Sequence, residues 1–316
     1  MPKENRMPEN TTSPTETRST ATTGVENFLP ALCERIDRLG SRLTVGIDPN
    51  LDRFPEEFQG MDPEDAIVRF AEGVLEATEE IAVAVKPQVA FFERFGWRGV
   101  RALETVCRSA ASRGFVVILD AKRGDIGSTA QAYAEACLGD SDLGRSVHAL
   151  TVNPYLGTDS LEPFFDVARA RRKGLFVLAR TSNPGGAEFQ SREGDSTPVY
   201  LSVARAAAGW SEKLGGEHAE FGGVGLVAGA TFPEELAAIR EAAPRSWLLL
   251  PGIGAQGGDV NALRPAWDSR GYGGLVSSSR AVLYAHQKDE SGARWQDSVA
   301  SAAAATRDEI ERARGA

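Results

Sequence analysis

Short apolar segments recur along the chain and are separated by longer segments with helical periodicity. Most of them consist of Val, Leu and Ile without polar alternation, which is typical of parallel strands buried on both faces. The pattern predicts eight strands, at residues 43–47, 81–85, 115–119, 148–152, 175–179, 224–228, 247–250 and 274–277.

The intervals between these strands carry apolar residues at helical spacing. Helices are predicted at 25–39, 63–79, 99–112, 128–138, 199–214, 233–243 and 294–314. Eight strands that alternate with helices predict an α/β protein with the (β/α)8 architecture of a TIM barrel, as a single domain over residues 25–316. A doubly wound open sheet is the alternative. It would usually carry a glycine-rich turn after its first strand, and Asp48-Pro49-Asn50 is not such a turn.

Three segments fall outside this alternation. Residues 1–24 are rich in Thr, Pro, Glu and Asn and contain no aromatic residue, so we expect a disordered tail. Segments 50–61 and 182–197 are long, and the second is rich in Gly, Ser and charged residues. It is either a lid over a site or a surface insertion, and the sequence does not choose between them.

Composition and charge exclude several classes of protein. With 316 residues, 42% of them hydrophobic and 25% charged, the chain has the composition of a globular protein. Its net charge of −9 argues against a nucleic-acid-binding surface. No apolar run approaches the ~20 residues that span a bilayer, and the N-terminus lacks the apolar core of a signal peptide.

The cysteines and histidines indicate neither disulfides nor a metal site. Cys33, Cys107 and Cys137 lack the spacing of a disulfide framework or a zinc knuckle, and the three histidines share no ligand spacing. We therefore expect a protein of the reducing cytoplasm.

Two acids and a lysine follow the third predicted strand, in the segment Asp-Ala-Lys-Arg-Gly-Asp-Ile at 120–126. Strand alternation puts Asp120 and Lys122 on the same side, whereas Asp125 lies further out on the loop. Three charges this close are costly unless they pair or take part in chemistry. The lysine is the natural proton donor, and the acids would hold it charged. A solvated surface turn is the structural alternative.

Polar residues also follow most of the other predicted strands, and barrel enzymes place their active sites at these carboxyl ends. Lys86 follows the second strand, and with the three charges of segment 120–126 it predicts an alternating Lys-Asp-Lys-Asp array. Glycines in segment 252–258 and Arg280 after the last strand predict a phosphate site. The alternative is a tight glycine turn with Arg280 paired to a nearby acid.

Segment 120–126 resembles the Asp-x-Lys-x-x-Asp-Ile signature of the orotidine 5'-phosphate decarboxylase family. The resemblance extends from about residue 43 to residue 280, and the loops after strands four and five are similar to the longer bacterial branch. It implies a carboxy-lyase that converts orotidine 5'-monophosphate (OMP) to UMP and CO2 in pyrimidine biosynthesis. It also implies a cytoplasmic homodimer with shared active sites and no cofactor.

The same resemblance implies a role for each matching residue. Lys122 would protonate C6 of the pyrimidine, and Asp120 would lie against the carboxylate of the substrate. Lys86 would be the first lysine of the array, and Asp125, with Ile126 beside it, would enter the site of the partner subunit. The expected substrate contacts are Asp48 and Lys86 at the ribose, Ser182 at the pyrimidine, Gln256, Gly257 and Arg280 at the phosphate, and Thr151.

The chemistry agrees with these roles, because no cofactor motif is present and a carbanion-like centre at C6 would need electrostatic stabilisation. Two other functions stay open. A metal-dependent sugar-phosphate decarboxylase or aldolase of the same superfamily resembles this chain at Asp120 and Lys122, but Asp125-Ile126 and Ser182 argue against it. The other is a barrel that binds a phosphate ligand without catalysis.

Overall fold

The computed structural model describes residues 27–194, 197–214, 220–229, 233–252 and 260–315. The strands are β1 (Leu43–Ile47), β2 (Ala84–Pro87), β3 (Val116–Arg123), β4 (Ala149–Val152), β5 (Gly174–Arg180), β6 (Glu193–Gly194), β7 (Thr197–Pro198), β8 (Val224–Ala228), β9 (Leu248–Pro251) and β10 (Gly274–Ser278). Eight of them form a closed parallel barrel, and β6 pairs with β7 as a separate antiparallel hairpin. Since β10 pairs with β1, the predicted barrel is confirmed and the open sheet is wrong.

One helix, α1 (Phe28–Leu39), precedes the first strand, and the other helices follow the first or later strands. They are α2 (Pro63–Thr78), α3 (Val89–Glu93), α4 (Gly96–Ser112), α5 (Gly127–Leu138), α6 (Asp142–Ser146), α7 (Thr158–Arg171), α8 (Ala187–Gln190), α9 (Val199–Leu214), α10 (Pro233–Ala242), α11 (Arg280–Leu283) and α12 (Trp295–Gly315). The predicted helices are confirmed within a few residues. The prediction did not include α7, whose sequence signal is weakened by Pro163 in its second turn. None of the described helices is long and apolar enough to cross a lipid bilayer.

Strand alternation sorts the buried residues into two clusters. On β3, Val117 and Leu119 pack with the surrounding helices, whereas Val116 and Ile118 belong to the cluster inside the barrel. Asp120 continues the inward-facing series at the carboxyl end of the strand. The same alternation turns Lys86 and Thr151 inward, because Ala84 and Ala149 two residues earlier belong to the interior cluster.

Helix α1 covers the amino-terminal end of the barrel. Its residues Phe28, Leu32 and Ile36 join the interior cluster together with Trp247 of the segment before β9. The Phe28 ring meets Phe176 edge to face, with 6.0 Å between the ring centroids. An apolar lid on this end leaves the carboxyl ends of the strands as the end where inward-facing polar side chains gather.

The two long segments are more ordered than a loop prediction implies. Segment 50–61 forms two 3-10 turns, and its Phe54 stacks on Phe70 of α2 at 4.0 Å. Segment 182–197 contains a 3-10 turn, α8 and the start of the β6–β7 hairpin. These elements do not decide between a lid and a surface insertion. The predicted disordered tail, residues 1–24, lies outside the described residues, and its boundary stays a prediction.

Candidate active site

The carboxylate of Asp120 is the centre of a hydrogen-bonded cluster at the carboxyl end of the barrel. Its Oδ2 accepts hydrogen bonds from Lys86 Nζ and Gln88 Nε2, each at 3.0 Å. Its Oδ1 accepts from Lys122 Nζ at 2.5 Å and from Thr151 Oγ1 at 3.0 Å. Each oxygen therefore has two donors, and Asp120 itself is only 6% exposed. The cluster comes from β2, β3 and β4, which lie side by side.

The charges in this cluster keep each other ionised. Burial alone would raise the pKa of Asp120, but the ammonium groups of Lys86 and Lys122 outweigh it and lower that pKa to about 2. Burial would likewise lower the pKa of Lys86, and the carboxylates of Asp120 and Asp48 reverse the direction and raise it. At neutral pH the cluster holds two cations around one buried anion.

Lys122 has an unusual backbone. Its φ angle is 48°, in the left-handed region that non-glycine residues seldom adopt. The pairing of β3 with β4 shifts register between Leu119 and Arg123, which places the irregularity at this lysine. The backbone N–H of Lys122 donates to Thr151 Oγ1 at 2.9 Å. Its side chain remains 42% exposed, so the ammonium touches Asp120 and is still accessible from outside the barrel.

Asp48 follows β1 and is held by its backbone. The Tyr284 hydroxyl donates to the carbonyl oxygen of Asp48 at 2.7 Å and accepts from the N–H of Asn50 at 2.9 Å. The Oδ1 atom of Asp48 is buried and has no hydrogen-bond partner. A buried carboxylate oxygen without a donor is costly. It is therefore a suitable acceptor for a ligand hydroxyl.

Asp125 does not join the cluster within one chain. Its Oδ1 accepts the N–H of Ile126 at 2.8 Å, and no ion pair links it to a described Lys or Arg. Ile126 is 60% exposed. Of the four charges in the predicted array, the structure brings Lys86, Asp120 and Lys122 together and leaves Asp125 on the outer loop.

Ser182 stands directly after β5 on a segment that is tied down. Arg180 Nε pairs with Glu235 Oε2 of α10 at 2.6 Å, and Gln190 Oε1 accepts the N–H of Thr181 at 2.9 Å. Gly229 packs against the backbone of Ser182 so closely that an added Cβ would lie 2.9 Å from Ser182 Cα. These contacts fix the backbone at the serine and on its amino-terminal side.

The predicted phosphate site is described only in part. Arg280 is the exposed first residue of α11, and its guanidinium makes no hydrogen bond or ion pair with a described residue. The alternative in which Arg280 pairs with a nearby acid is thus not observed in the described ranges. Gln256 and Gly257 lie outside the described residues, and their roles stay predictions.

Gln88 was not among the site residues predicted from the sequence. In the structure its amide supports Asp120, and a bridge pairs its backbone with that of Asp120. Its position two residues after Lys86 is the signal that could have found it, because alternation puts both side chains on one face. Thr151 was expected to contact a substrate, yet its hydroxyl is bonded to Asp120 and to the backbone of Lys122.

The cluster can hold an ammonium proton next to a reacting atom and stabilise negative charge there. Within the residues that the structure describes, no three His, Cys, Asp or Glu side chains form a group that could hold a metal ion.

Comparison with known proteins gives consistent matches. The sequence model of the orotidine 5'-phosphate decarboxylase / HUMPS family matches residues 41–294. The orotidine 5'-phosphate decarboxylase of Rhodopirellula baltica is 42% identical over 291 residues, covering 87% of this chain and 96% of that protein. That of Deinococcus radiodurans is 42% identical over 288 residues, covering 91% and 98%. The structure of Leishmania donovani OMP decarboxylase superposes with a TM-score of 0.74 at 36% identity, covering 92% of this chain and 100% of that one.

Proposed function

Because this chain belongs to the orotidine 5'-phosphate decarboxylase / HUMPS family, we propose that it decarboxylates OMP to UMP and CO2. The observation that carries the proposal is the ammonium of Lys122, 2.5 Å from the ionised carboxylate of Asp120 and accessible from outside the barrel. A proton donor held against a buried anion is what protonation of a carbanion-like carbon requires.

In this reaction the bond between C6 and the carboxylate carbon breaks, CO2 leaves and the electron pair stays at C6. The positive charge of Lys122 stabilises that pair as it develops, and the ammonium then transfers its proton to C6 to give UMP. Asp120 lies against the carboxylate of the substrate and keeps Lys122 in place. Lys86 balances the charge of Asp120 from the opposite side, so the buried carboxylate stays ionised throughout.

The substrate contacts lie around the rim formed by the carboxyl ends of the strands. The unpartnered Oδ1 of Asp48 accepts a ribose hydroxyl, and Lys86 reaches the same sugar. Ser182 hydrogen-bonds the pyrimidine. The phosphate binds to the exposed guanidinium of Arg280, together with Gln256 and Gly257. Because the phosphate lies far from C6, its binding energy is available to order the site and lower the barrier.

We also propose that the enzyme is a homodimer in which Asp125 acts in the site of the partner subunit. Asp125 has no described cation to pair with, and exposed apolar side chains lie on its own loop and on the loop after β4. Ile126 is 60% exposed, and Tyr155 and Leu156, on the loop after β4, are 87% and 49% exposed. Gly124 packs against the backbone of Asn153, which brings the two loops together as one apolar surface.

A hybrid-dimer experiment tests this sharing. Asp125→Ala and Lys122→Ala chains are each expected to be inactive alone. When they are mixed under exchange, each hybrid dimer contains one intact site, so OMP turnover should recover to about a quarter of the wild-type activity for random pairing. No recovery above the two parents, with exchange verified by differently tagged chains, would overturn the shared site.

The reaction itself is tested by the absorbance change of OMP with purified protein in EDTA-treated buffer. Loss of OMP with formation of UMP supports a decarboxylase that needs no added metal. Turnover that requires a divalent metal would favour the metal-dependent relatives of the superfamily. Binding of UMP without turnover would instead favour the non-catalytic phosphate-binding barrel.

We place the protein in the cytoplasm, with OMP as its small-molecule partner and neither nucleic acid nor membrane. The three cysteines support a reducing compartment, because all three are free thiols and two of them are buried.

A further inference from the structure

Thr151 is bonded to two separate parts of the charged cluster. Its hydroxyl donates to Asp120 Oδ1 at 3.0 Å and accepts the backbone N–H of Lys122 at 2.9 Å. It extends from β4, whereas both of its partners belong to β3. The Thr151 side chain thus links the Asp120 carboxylate, which binds the Lys122 ammonium, to the backbone of Lys122.

The Lys122 backbone, to which Thr151 is bonded, has an unfavourable conformation. A φ angle of 48° at Lys122 costs conformational energy for a residue with a Cβ, and it persists only when neighbouring groups fix it. The register shift between β3 and β4 leaves this part of β3 without regular pairing to its neighbour. The hydrogen bond from the Lys122 N–H to Thr151 thus links β3 to β4 within this irregular stretch.

We propose that Thr151 is a positioning residue, which sets the left-handed turn at Lys122 and so holds the Lys122 ammonium against Asp120. The proposal refines the OMP decarboxylation proposed above and rests on it. It replaces the expectation that Thr151 contacts the substrate.

The state of the hydroxyl argues against substrate contact. Thr151 is 1% exposed, and its single hydroxyl proton is already donated to Asp120. The Lys122 side chain is by contrast 42% exposed, so its ammonium is open to a substrate from a side where the threonine is buried. The effect of Thr151 on catalysis must therefore pass through its two partners.

Gln88 provides a matched comparison within the same cluster. Its amide donates to Asp120 Oδ2 at the same 3.0 Å as the Thr151 hydroxyl does to Oδ1, but no hydrogen bond links it to the backbone of Lys122. Replacing Gln88 removes one donor to the carboxylate and leaves the turn intact. Replacing Thr151 removes both contacts.

The test compares Thr151→Val, Thr151→Ser and Gln88→Leu for kcat, KM and hydrogen exchange of the peptide that contains Lys122, with Thr151→Ala as a second variant should the valine chain fail to fold. Thr151→Val should lower kcat about 50-fold with KM within about threefold, because two hydrogen bonds are lost but no substrate contact is. Thr151→Ser keeps a hydroxyl group, so its kcat should lie within about fivefold of the wild-type value. The Lys122 amide should exchange at least about tenfold faster in Thr151→Val and at the wild-type rate in Gln88→Leu.

Each result contrary to these expectations has its own meaning. A higher KM with unchanged kcat in Thr151→Val would make the residue a substrate contact and overturn the proposal. Unchanged exchange at Lys122 in Thr151→Val would overturn it as well. If the wild-type protein did not turn over OMP while exchange at Lys122 still depended on Thr151, the proposed function would fail and the positioning geometry would stand.

Discussion

Both ends of the barrel bury charged or titratable side chains, but the two ends satisfy them differently. At the carboxyl end, Lys86 and Lys122 share the carboxylate of Asp120. At the amino-terminal end, Lys173 donates to the backbone carbonyls of Gly144 and Val147 and pairs with no described acid. Charges that bind one another form an electrostatic site, whereas a charge bound by the backbone fixes the fold.

The pKa values show why this distinction is needed. Burial, helped by the nearby Arg171, lowers the pKa of Lys173 to about 8. Burial also lowers the pKa of His148 to about 3, with Lys173 as the second cause. Perturbed groups of this kind are used to locate active sites. Here His148 and Lys173 have strongly lowered pKa values at the covered end, so a perturbed pKa does not by itself mark the site, and exposure and a charged partner are the better guide.

A cavity away from the Asp120 cluster leads to the same conclusion. It has a volume of about 730 Å³ and lies beside α1 at the amino-terminal end, lined by residues that include Phe28, Lys173 and Trp247. It contains no member of the Asp120 cluster. The presence of a cavity therefore does not by itself mark the site in this barrel, and the arrangement of donors around Asp120 is the stronger indication.

Replacing the shared carboxylate should have the largest effect in this comparison. Asp120→Asn leaves Lys86 buried without its counterion and removes the anchor of Lys122. We expect kcat/KM for OMP to fall at least about 10³-fold. The exposed Asp166→Asn, which alters only a pair with Arg169, should match the wild type. Activity within tenfold of wild type in Asp120→Asn would remove the basis for treating the two ends differently.

A change at the other end should act on stability instead. Lys173→Met removes the donor to two buried carbonyls, so the free energy of unfolding should fall by about 2–4 kcal/mol. The kcat of the folded fraction should stay within about twofold, as measured by denaturant unfolding and OMP turnover on one preparation. Lys213→Met, at a partly exposed lysine, is the control and should lose less than about 1 kcal/mol. A large loss of kcat in Lys173→Met would assign chemistry to the amino-terminal end.

His148 should give the smallest effect, a dependence of stability on pH. Its pKa is about 3 in the folded protein and about 6.5 when unfolded, so the unfolded chain binds the extra proton between these values. The contribution of His148 to the free energy of unfolding is complete above pH 6.5. It is lost as the pH falls toward 3, at up to about 1.4 kcal/mol per pH unit. Urea unfolding of wild type and His148→Gln at pH 7, 6 and 5 should show a shallower decline in the variant. Parallel declines would contradict this assignment.

The fold was predictable because its strands are continuous apolar runs, and each of the eight appears in the barrel. The β6–β7 hairpin was not, since strands of two residues are too short to show a period. Helix α7 was missed where Pro163 lies within the helical segment. Periodic segments are readable from sequence, and short or interrupted ones depend on their tertiary neighbours.

The part of the site that depends on side-chain alternation along a strand was predictable. Alternation predicted that Asp120 and Lys122 lie on the same side of β3, and the ion pair between them confirms this. The left-handed backbone at Lys122 and its bond to Thr151 depend on the register between β3 and β4, which local sequence does not encode. The part of the site that was missed is the part created by contact between neighbouring strands.

The most direct test of the central claim is the turnover of OMP by Lys122→Ala beside Lys288→Ala, an exposed lysine outside the cluster. We expect Lys122→Ala to lose at least about 10⁴-fold in kcat, because the proton donor and its positive charge are gone, while its unfolding temperature stays within a few degrees of wild type. Lys288→Ala should retain full activity. Near-normal turnover by a folded Lys122→Ala protein would contradict the account.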